Sequence, residues 1–210
     1  YCGDASIEFE GRRLSKLEYA KYVTAGLASL FNGQQDAVGL TLFDTKVREF
    51  LPAKSGKGQL FNILRFLEAA QPRGETELSP IFDEVAERVA QRSVIIIISD
   101  LFGDTKNLLK SFQHINYRHD ELVVLHIMAE EELHFPFESF VHFKDLEGPD
   151  ELELNPESFR ADYLTRVQEF VKMLTDGCGS MRADYVPLTT AKPFEKGLTE
   201  YLARRMTGVG

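Results

Sequence analysis

The stretch Ser93-Val-Ile-Ile-Ile-Ile-Ser-Asp100 decides the fold of this 210-residue chain. Its central residues are aliphatic and do not alternate with polar ones, so the strand that they predict is apolar on both faces. Such a strand is typical of a parallel sheet with helices on each side. Because ligands of these sheets bind at the carboxyl ends of the strands, Asp100 is the first candidate for a functional side chain. The alternative is that Asp100 only caps the segment that follows.

The sequence after Asp100 continues this alternation of helices and strands. The apolar runs and the capping residues predict strands at 121–128 and 184–188, and helices at about 104–115, 156–174 and 193–206. Two glycines in the stretch 176–180 predict a turn after the second of these helices.

Residues 130–155 do not continue this alternation of helices and strands. Two alternating stretches, at about 139–146 and 151–154, are separated by Gly148-Pro149. They predict a hairpin insertion at the periphery of the domain.

The sequence before Ser93 adds helices and a second hairpin. A helix over about 16–31 follows the capping residue Ser15, and further helices are predicted around 60–67 and from 79 to about 91. The runs 37–43 and 47–51 predict an antiparallel pair. Residues 1–210 are therefore expected to form a single α/β domain, with a doubly wound, mostly parallel sheet, an antiparallel edge strand and a small peripheral hairpin.

Composition excludes several classes of protein. The 24 Lys and Arg against 33 Asp and Glu give a formal net charge of −9, which disfavours binding to nucleic acid. The longest apolar run, 94–98, is far shorter than the roughly 20 residues that span a bilayer. Cys2 and Cys178 lie far apart and show no metal-binding spacing, which fits a reducing compartment. We therefore expect a cytoplasmic protein.

No pattern in the sequence predicts catalysis. Ser55-Gly-Lys-Gly58 lacks the residues that a phosphate-binding loop needs at both of its ends. Cys178 does not lie in a nucleophile elbow, and no two of the five histidines are spaced four residues apart as zinc ligands on one helix face. We therefore expect that the protein is not an enzyme.

Thr76 is the second candidate for a functional side chain. It lies in the loop Gly74-Glu-Thr-Glu-Leu78, between two predicted helices. By itself, a hydroxyl in such a loop is most often an ordinary turn residue.

Several segments, taken in order, resemble one bacterial family. They are Ser15-Lys-Leu-Glu-Tyr-Ala20, Gln35-Asp-Ala-Val-Gly-Leu40, Phe43-Asp44, Gly74-Glu-Thr-Glu-Leu-Ser-Pro80, Ile98-Ser-Asp-Leu101, Phe135-Pro-Phe137 and Phe143-Lys-Asp-Leu-Glu147. This order is similar to that of domain-of-unknown-function family 58, whose members carry a von Willebrand factor type A-like domain of Rossmann-like fold. The resemblance covers about residues 15–206.

The resemblance implies a metal-ion-dependent adhesion site at one edge of the sheet. In that fold the site takes a D-x-S-x-S motif after the first strand, a threonine from a later loop and an aspartate after the fourth strand. The threonine matches Thr76 and the aspartate matches Asp100. The implied cofactor is Mg²⁺, which prefers six oxygen ligands, and an acidic side chain of another protein would complete its shell.

The first motif is where this chain departs from the family. Asp4-Ala-Ser6-Ile-Glu8 has a glutamate in place of the second serine. Either Asp4 and Ser6 belong to the metal motif, or residues 1–13 are the polar loop that follows the motif, and the motif lies before Tyr1. We prefer the second interpretation, in which the chain is a fragment that lacks its first central strand and its N-terminal region. Strands 37–43 and 93–99 would then flank the position of that missing strand.

Members of the family resemble, and are often encoded beside, partners of MoxR-type AAA ATPases. The resemblance therefore implies a non-enzymatic protein–protein interaction module that binds a MoxR-type ATPase or its client, in the assembly or maturation of other complexes. An alternative is a small metal-dependent hydrolase that uses Asp100 and a metal-bound water. A third interpretation is a structural domain whose metal site is vestigial.

Overall fold

A computed structural model of the chain describes residues 8–9, 12–44, 46–71, 78–89, 93–118, 121–137, 141–144, 151–154 and 156–206. Within them the elements are, in chain order, β1 (Glu8–Phe9), β2 (Arg12–Arg13), α1 (Lys16–Gly33), β3 (Val38–Phe43), β4 (Val47–Lys54), α2 (Lys57–Ala69), α3 (Leu78–Arg88), β5 (Val94–Ser99), α4 (Thr105–Arg118), β6 (Glu121–Met128), α5 (Glu130–His134), β7 (Val141–Lys144), β8 (Glu151–Leu154), α6 (Pro156–Ser180), β9 (Asp184–Thr189) and α7 (Phe194–Met206). Among these helices, none combines the length and the apolar character that crossing a membrane requires.

Strands β5, β6 and β9 form a parallel sheet with β6 in the middle. Ile97 lies opposite Val124, and Leu125 lies opposite Val186. Seven of the eight residues of β6 are buried, so helices must cover both faces of this strand. The prediction of an α/β chain with a parallel sheet is confirmed. In β5, which was expected to be buried on both faces, Ile97 is buried and Val94 is 48% exposed.

Alternate residues of β6 contribute to two different cores. Leu122 and Val124 pack with side chains of α3, α4 and α6, including Phe112. Val123 packs on the opposite face with side chains of α1 and α7, including Tyr19. This alternation is the two-residue period of a strand, and burying each large apolar side chain stabilises the fold by roughly 1.5–3 kcal/mol.

Helix α1 begins where the sequence predicts, because Ser15 caps it. The Ser15 hydroxyl accepts a hydrogen bond from the Glu18 backbone N–H at 3.2 Å, and the Glu18 carboxylate accepts one from the Ser15 N–H at 2.8 Å. This reciprocal capping box satisfies two donors that the first turn would otherwise leave without a partner. It also fixes the position of Lys16, the first residue of the helix.

Strands β3 and β4 form a separate antiparallel sheet. A third cluster, which includes Ile63 and Leu67 of α2, packs against this hairpin. In the described part of the chain, β3 is not hydrogen-bonded to β5, and both strands line one cleft of about 1990 Å³. A single continuous doubly wound sheet therefore stays a prediction, as does the additional strand expected between 37–43 and 93–99.

The predicted turn at 176–180 is wrong, because α6 continues to Ser180. Leu174 and Cys178 are fully buried in the core shared with α4, so the apolar face of the helix extends through this stretch. Gly177 allows close packing rather than a turn, since a Cβ at this position would collide with the Leu109 side chain of α4 and force it to move.

The peripheral segments show further differences from the sequence analysis. The short strands β1 and β2 pair antiparallel within the stretch 1–13, which was expected to be a polar loop. Helix α5 was not predicted, because five residues are too few to show a helical period. Strands β7 and β8, in contrast, pair antiparallel as the sequence predicts for the region 130–155.

Replacing Gly39 by alanine should destabilise the β3–β4 hairpin. The ladder is irregular between Val38 and Leu40, and a Cβ on Gly39 would lie 2.8 Å from the Leu51 carbonyl oxygen. Because that oxygen belongs to the backbone of the paired strand, the clash can be relieved only by a shift of the backbone. We expect the free energy of unfolding, measured by urea denaturation, to fall by about 1–3 kcal/mol.

Gly58→Ala is the matched control for this substitution. A Cβ on Gly58 of α2 would meet no atom within 4 Å. We expect its free energy of unfolding to stay the same or to rise by up to about 1 kcal/mol, because alanine favours a helix more than glycine does. Equal losses in the two variants would contradict the packing argument.

Candidate functional site

Asp100 lies at the carboxyl end of β5, at the start of a constrained loop. The Leu101 N–H donates a hydrogen bond to the Ser99 hydroxyl at 3.0 Å, and Leu101 adopts a left-handed backbone with φ of 54°. This conformation costs a non-glycine residue roughly 1–3 kcal/mol. Complete burial of the Leu101 side chain offsets that cost and fixes the path of the loop.

The capping role that Asp100 could have taken belongs to Asp104. The Asp104 carboxylate accepts hydrogen bonds from the Lys106 N–H at 2.9 Å and from the Asn107 N–H at 3.4 Å, at the start of α4. Asp100 instead interacts with a residue 84 positions away in the chain. The interpretation of Asp100 as a simple helix cap is therefore wrong.

The partner of Asp100 is Lys16. The Lys16 Nζ donates hydrogen bonds to Asp100 Oδ2 at 2.9 Å and to Glu132 Oε1 at 2.7 Å. The side chains of Lys16, Asp100 and Glu132 are 6%, 34% and 17% exposed. These three residues, which we call the Lys16 cluster, join the start of α1, the end of β5 and helix α5 at the carboxyl edge of the sheet.

The electrostatics of the cluster keep Lys16 protonated. Burial by itself lowers the pKa of the Lys16 ammonium and is the largest single influence on it. The charges of Asp100 and Glu132 and the hydrogen bonds to them together outweigh burial, so the pKa of Lys16 is raised. The three side chains carry a formal charge of −1, from one ammonium and two carboxylates.

His126 of β6 lies under this edge and is 2% exposed. Its Nε2 is 3.0 Å from the Asp100 carbonyl oxygen, and its Nδ1 is 2.6 Å from the Tyr185 hydroxyl. Because a carbonyl can only accept, Nε2 donates and Nδ1 accepts from the Tyr185 O–H. Burial lowers the pKa of His126 to about 4, so the ring is neutral and both of its nitrogens are engaged.

The described residues around Asp100 do not by themselves form a complete site for a divalent metal ion. Among them, no group of three or more His, Cys, Asp or Glu side chains could hold one. Of the two Asp100 carboxylate oxygens, Oδ2 binds the Lys16 ammonium. Thr76, Asp4 and Ser6 lie outside the described residues. The predicted approach of Thr76 to Asp100, and the Mg²⁺ site that rests on it, therefore stay predictions.

Sequence reasoning found Asp100 but missed Lys16 and Glu132. A lysine directly after a helix cap is common on protein surfaces, and Glu132 ends a run of three glutamates, so neither stands out. The available signal was the first turn of α1, where Lys16 and Tyr19 share one buried face. Only the tertiary fold shows what that face meets.

Comparisons with known proteins agree with this architecture. A family model described as "Protein of unknown function DUF58" matches residues 3–172. No curated protein matches the chain. The conserved hypothetical protein BatB from Bacteroides thetaiotaomicron is similar in structure, with a TM-score of 0.55 and 16% identity over 99% of this chain and 93% of that one.

A second similar structure is that of an aerotolerance-related membrane protein from Bacteroides fragilis NCTC 9343, with multiple mutations to serines. Its TM-score is 0.54 and its identity 16%, over 90% of this chain and 89% of that one. At this level of identity the two structures show a shared fold alone.

Replacing His126 by glutamine should flatten the pH dependence of stability. Its pKa is about 4 in the folded protein and 6.5 as the ordinary value, so the unfolded chain binds more protons between these pH values. His126 contributes about 3 kcal/mol to the free energy of unfolding above pH 6.5, and this contribution is lost as the pH falls to 4. Urea denaturation across this range should show a smaller loss of unfolding free energy in His126→Gln than in the wild type. The same steep loss in His126→Gln as in the wild type would contradict the assignment of a buried, neutral ring.

Proposed function

Because this chain belongs to the DUF58 family, whose function is unknown, we propose that it is a non-enzymatic protein–protein interaction module that acts through the carboxyl edge of its parallel sheet. The observation that carries the proposal is Phe102. Its side chain is 77% exposed at that edge, two residues after Asp100. An aromatic side chain displayed on a fixed loop is the type of residue that contributes most to protein interfaces.

The loop that presents Phe102 is constrained on both sides. Leu101 anchors it in the core, and Gly103 adopts a φ of 154°, which favours glycine. A rigid presentation reduces the entropy that is lost when a partner binds. Phe102 is therefore already held in the conformation that a partner would bind, next to the partly exposed carboxylate of Asp100.

The described groups near the edge favour binding over catalysis. A hydrolase needs a free base or nucleophile beside Asp100, such as Asp104 or a histidine. Asp104 caps α4, and both nitrogens of His126 are engaged. The Cys178 thiol is fully buried, and burial raises its pKa to about 11, which suppresses its thiolate. These observations support an interaction module over the metal-dependent hydrolase.

The partner that we propose is a MoxR-type AAA ATPase or its client, in the cytoplasm, with a role in the assembly or maturation of other complexes. The support for this partner is the family resemblance of the ordered motifs, from Ser15 to Glu147. The exposed edge with Phe102 supplies the surface that such a partner would contact.

Replacing Phe102 by serine should weaken partner binding without unfolding the protein. We expect the Kd for a MoxR-type ATPase of the same organism, measured by calorimetry, to rise about tenfold or more, because an interface aromatic is lost. Phe61→Ser on α2 is the matched control, since Phe61 is 68% exposed and lies away from the edge. Unchanged affinity in Phe102→Ser, or equal losses in both variants, would contradict docking through this edge.

We also propose that one more extended strand, from outside the described residues, lies between β3 and β5. The cleft of about 1990 Å³ supports this, because it is lined by both strands. Among the described residues, β3 pairs only with β4 and β5 pairs only with β6, so each strand has one open edge. A strand in the cleft would satisfy backbone groups along both edges.

Hydrogen exchange tests this additional strand. The comparison is between residues 1–210 and any longer form that the gene encodes. We expect the β5 amides that do not face β6 to exchange about tenfold more slowly, or slower still, in the longer form. The amides of β9, which pairs with β6 at the far side of the sheet, serve as the control. Equal exchange of the β5 amides in the two forms would contradict the proposal.

A further inference from the structure

We propose that the ammonium group of Lys16 is the resident cation of the carboxyl edge, in the place where the adhesion-site hypothesis puts a divalent metal ion beside Asp100. The proposal concerns the Lys16 cluster and does not depend on docking through Phe102. It arises from the ion pair at Asp100, where Lys16 supplies a positive charge to one of the oxygens that an Mg²⁺ shell could use.

The geometry of the cluster is that of a cation shared by two carboxylates. Lys16 Nζ lies 2.9 Å from Asp100 Oδ2 and 2.7 Å from Glu132 Oε1, both within the range of charge-assisted hydrogen bonds. The two carboxylates come from separate elements, β5 and α5. The ammonium therefore holds together two acidic groups that would otherwise repel each other, which is what a metal ion between them would do.

Each member of the cluster is held in place by a second interaction. The capping box of Ser15 fixes the start of α1. The other carboxylate oxygen of Glu132 accepts a hydrogen bond from the Ala129 N–H at 2.8 Å, and the Asp100 carbonyl accepts one from His126. The two carboxylates are therefore held in position to bind the lysine. The positive charge at this edge belongs to a buried, fixed ammonium rather than to a mobile side chain on the surface.

A second cation does not fit beside this ammonium. The Lys16 side chain is only 6% exposed, and two positive charges at the same carboxylate repel strongly where little water screens them. A metal ion that bound both Asp100 Oδ2 and Glu132 Oε1 would have to displace Lys16, whose ammonium would then lose both of its carboxylates while buried. Mg²⁺ also loses its bound water at a high energetic cost. Replacing the Lys16 ammonium by Mg²⁺ is therefore unfavourable for the lysine and for the metal ion.

Metal titration of variants of the full chain tests the inference. Thermal unfolding is measured with and without Mn²⁺ or Mg²⁺ for the wild type, Lys16→Met and the double variant Lys16→Met/Asp100→Asn. Lys172→Met is the matched control, because Lys172 forms an ion pair with Asp176 at 2.6 Å in which both side chains are exposed. This control removes an ion pair between a lysine and a carboxylate that lies away from the carboxyl edge of the sheet.

We expect no metal-linked change in Tm for the wild type or for Lys172→Met. Lys16→Met should lose roughly 6–20 °C in Tm without metal, because its two carboxylates lose their cation. Mn²⁺ in hundredfold excess over its Kd should then raise the Tm of Lys16→Met by roughly 5–11 °C. The double variant should show no such rise.

Two results would overturn the inference. One is a metal-linked rise in Tm of the wild type that Asp100→Asn abolishes, since the metal would then bind beside Lys16. The other is a metal effect on Lys16→Met no larger than that on Lys172→Met, since the ammonium would then be an ordinary ion pair.

A measurement on the wild type keeps the inference testable if Lys16→Met fails to fold. The electron paramagnetic resonance spectrum of Mn²⁺ distinguishes free from bound ion directly. We expect the signal of free Mn²⁺ to remain unchanged on addition of the wild-type protein. Loss of that signal, with recovery in Asp100→Asn, would overturn the assignment of Lys16 as the resident cation.

Discussion

The burial of β6 on both faces is the constraint on which the rest of the structure depends. A strand that meets no water needs helices on each side and neighbours that satisfy its backbone groups, and α1, α7, α3, α4, α6, β5 and β9 meet these needs. Because the three strands are parallel, their carboxyl ends meet at one edge. That arrangement brings Asp100 to the start of α1 and to α5, which follows β6.

The chemistry of this edge is set by partial burial. His126 is neutral because it is buried. Among the described groups in contact with Asp100, Lys16 therefore carries the positive charge. The carboxylates of Asp100 and Glu132 stabilise this charge and are themselves ordered by it. The strained backbone of Leu101 then directs Phe102 outwards, so one short loop links the buried core, the ion pairs and the exposed surface.

Much of the fold could be predicted from the sequence, because the apolar runs 93–99 and 121–128 indicate strands of a parallel sheet. The burial of these strands was predicted correctly for β6, whereas in β5 only Ile97 is buried. Asp100 could be predicted from its position after such a strand. The contact with Lys16 could not, because it joins residues 84 positions apart and depends on how helices pack. The predicted turn at 176–180 failed for a related reason, since Gly177 is explained by its close contact with Leu109. Thr76 lies outside the described residues, so its place at the edge stays a prediction.

Within the part of the chain that the structure describes, β3 and β5 each have one unpaired edge, which has a consequence for how residues 1–210 behave in solution. A strand with one unpaired side is a template for any other strand, including one from a neighbouring molecule. Val94 of β5 is 48% exposed, so part of this template is apolar as well as accessible. Whatever covers the cleft therefore also protects the protein from self-association, and crystallisation or storage of residues 1–210 should be planned with edge-to-edge aggregation in mind.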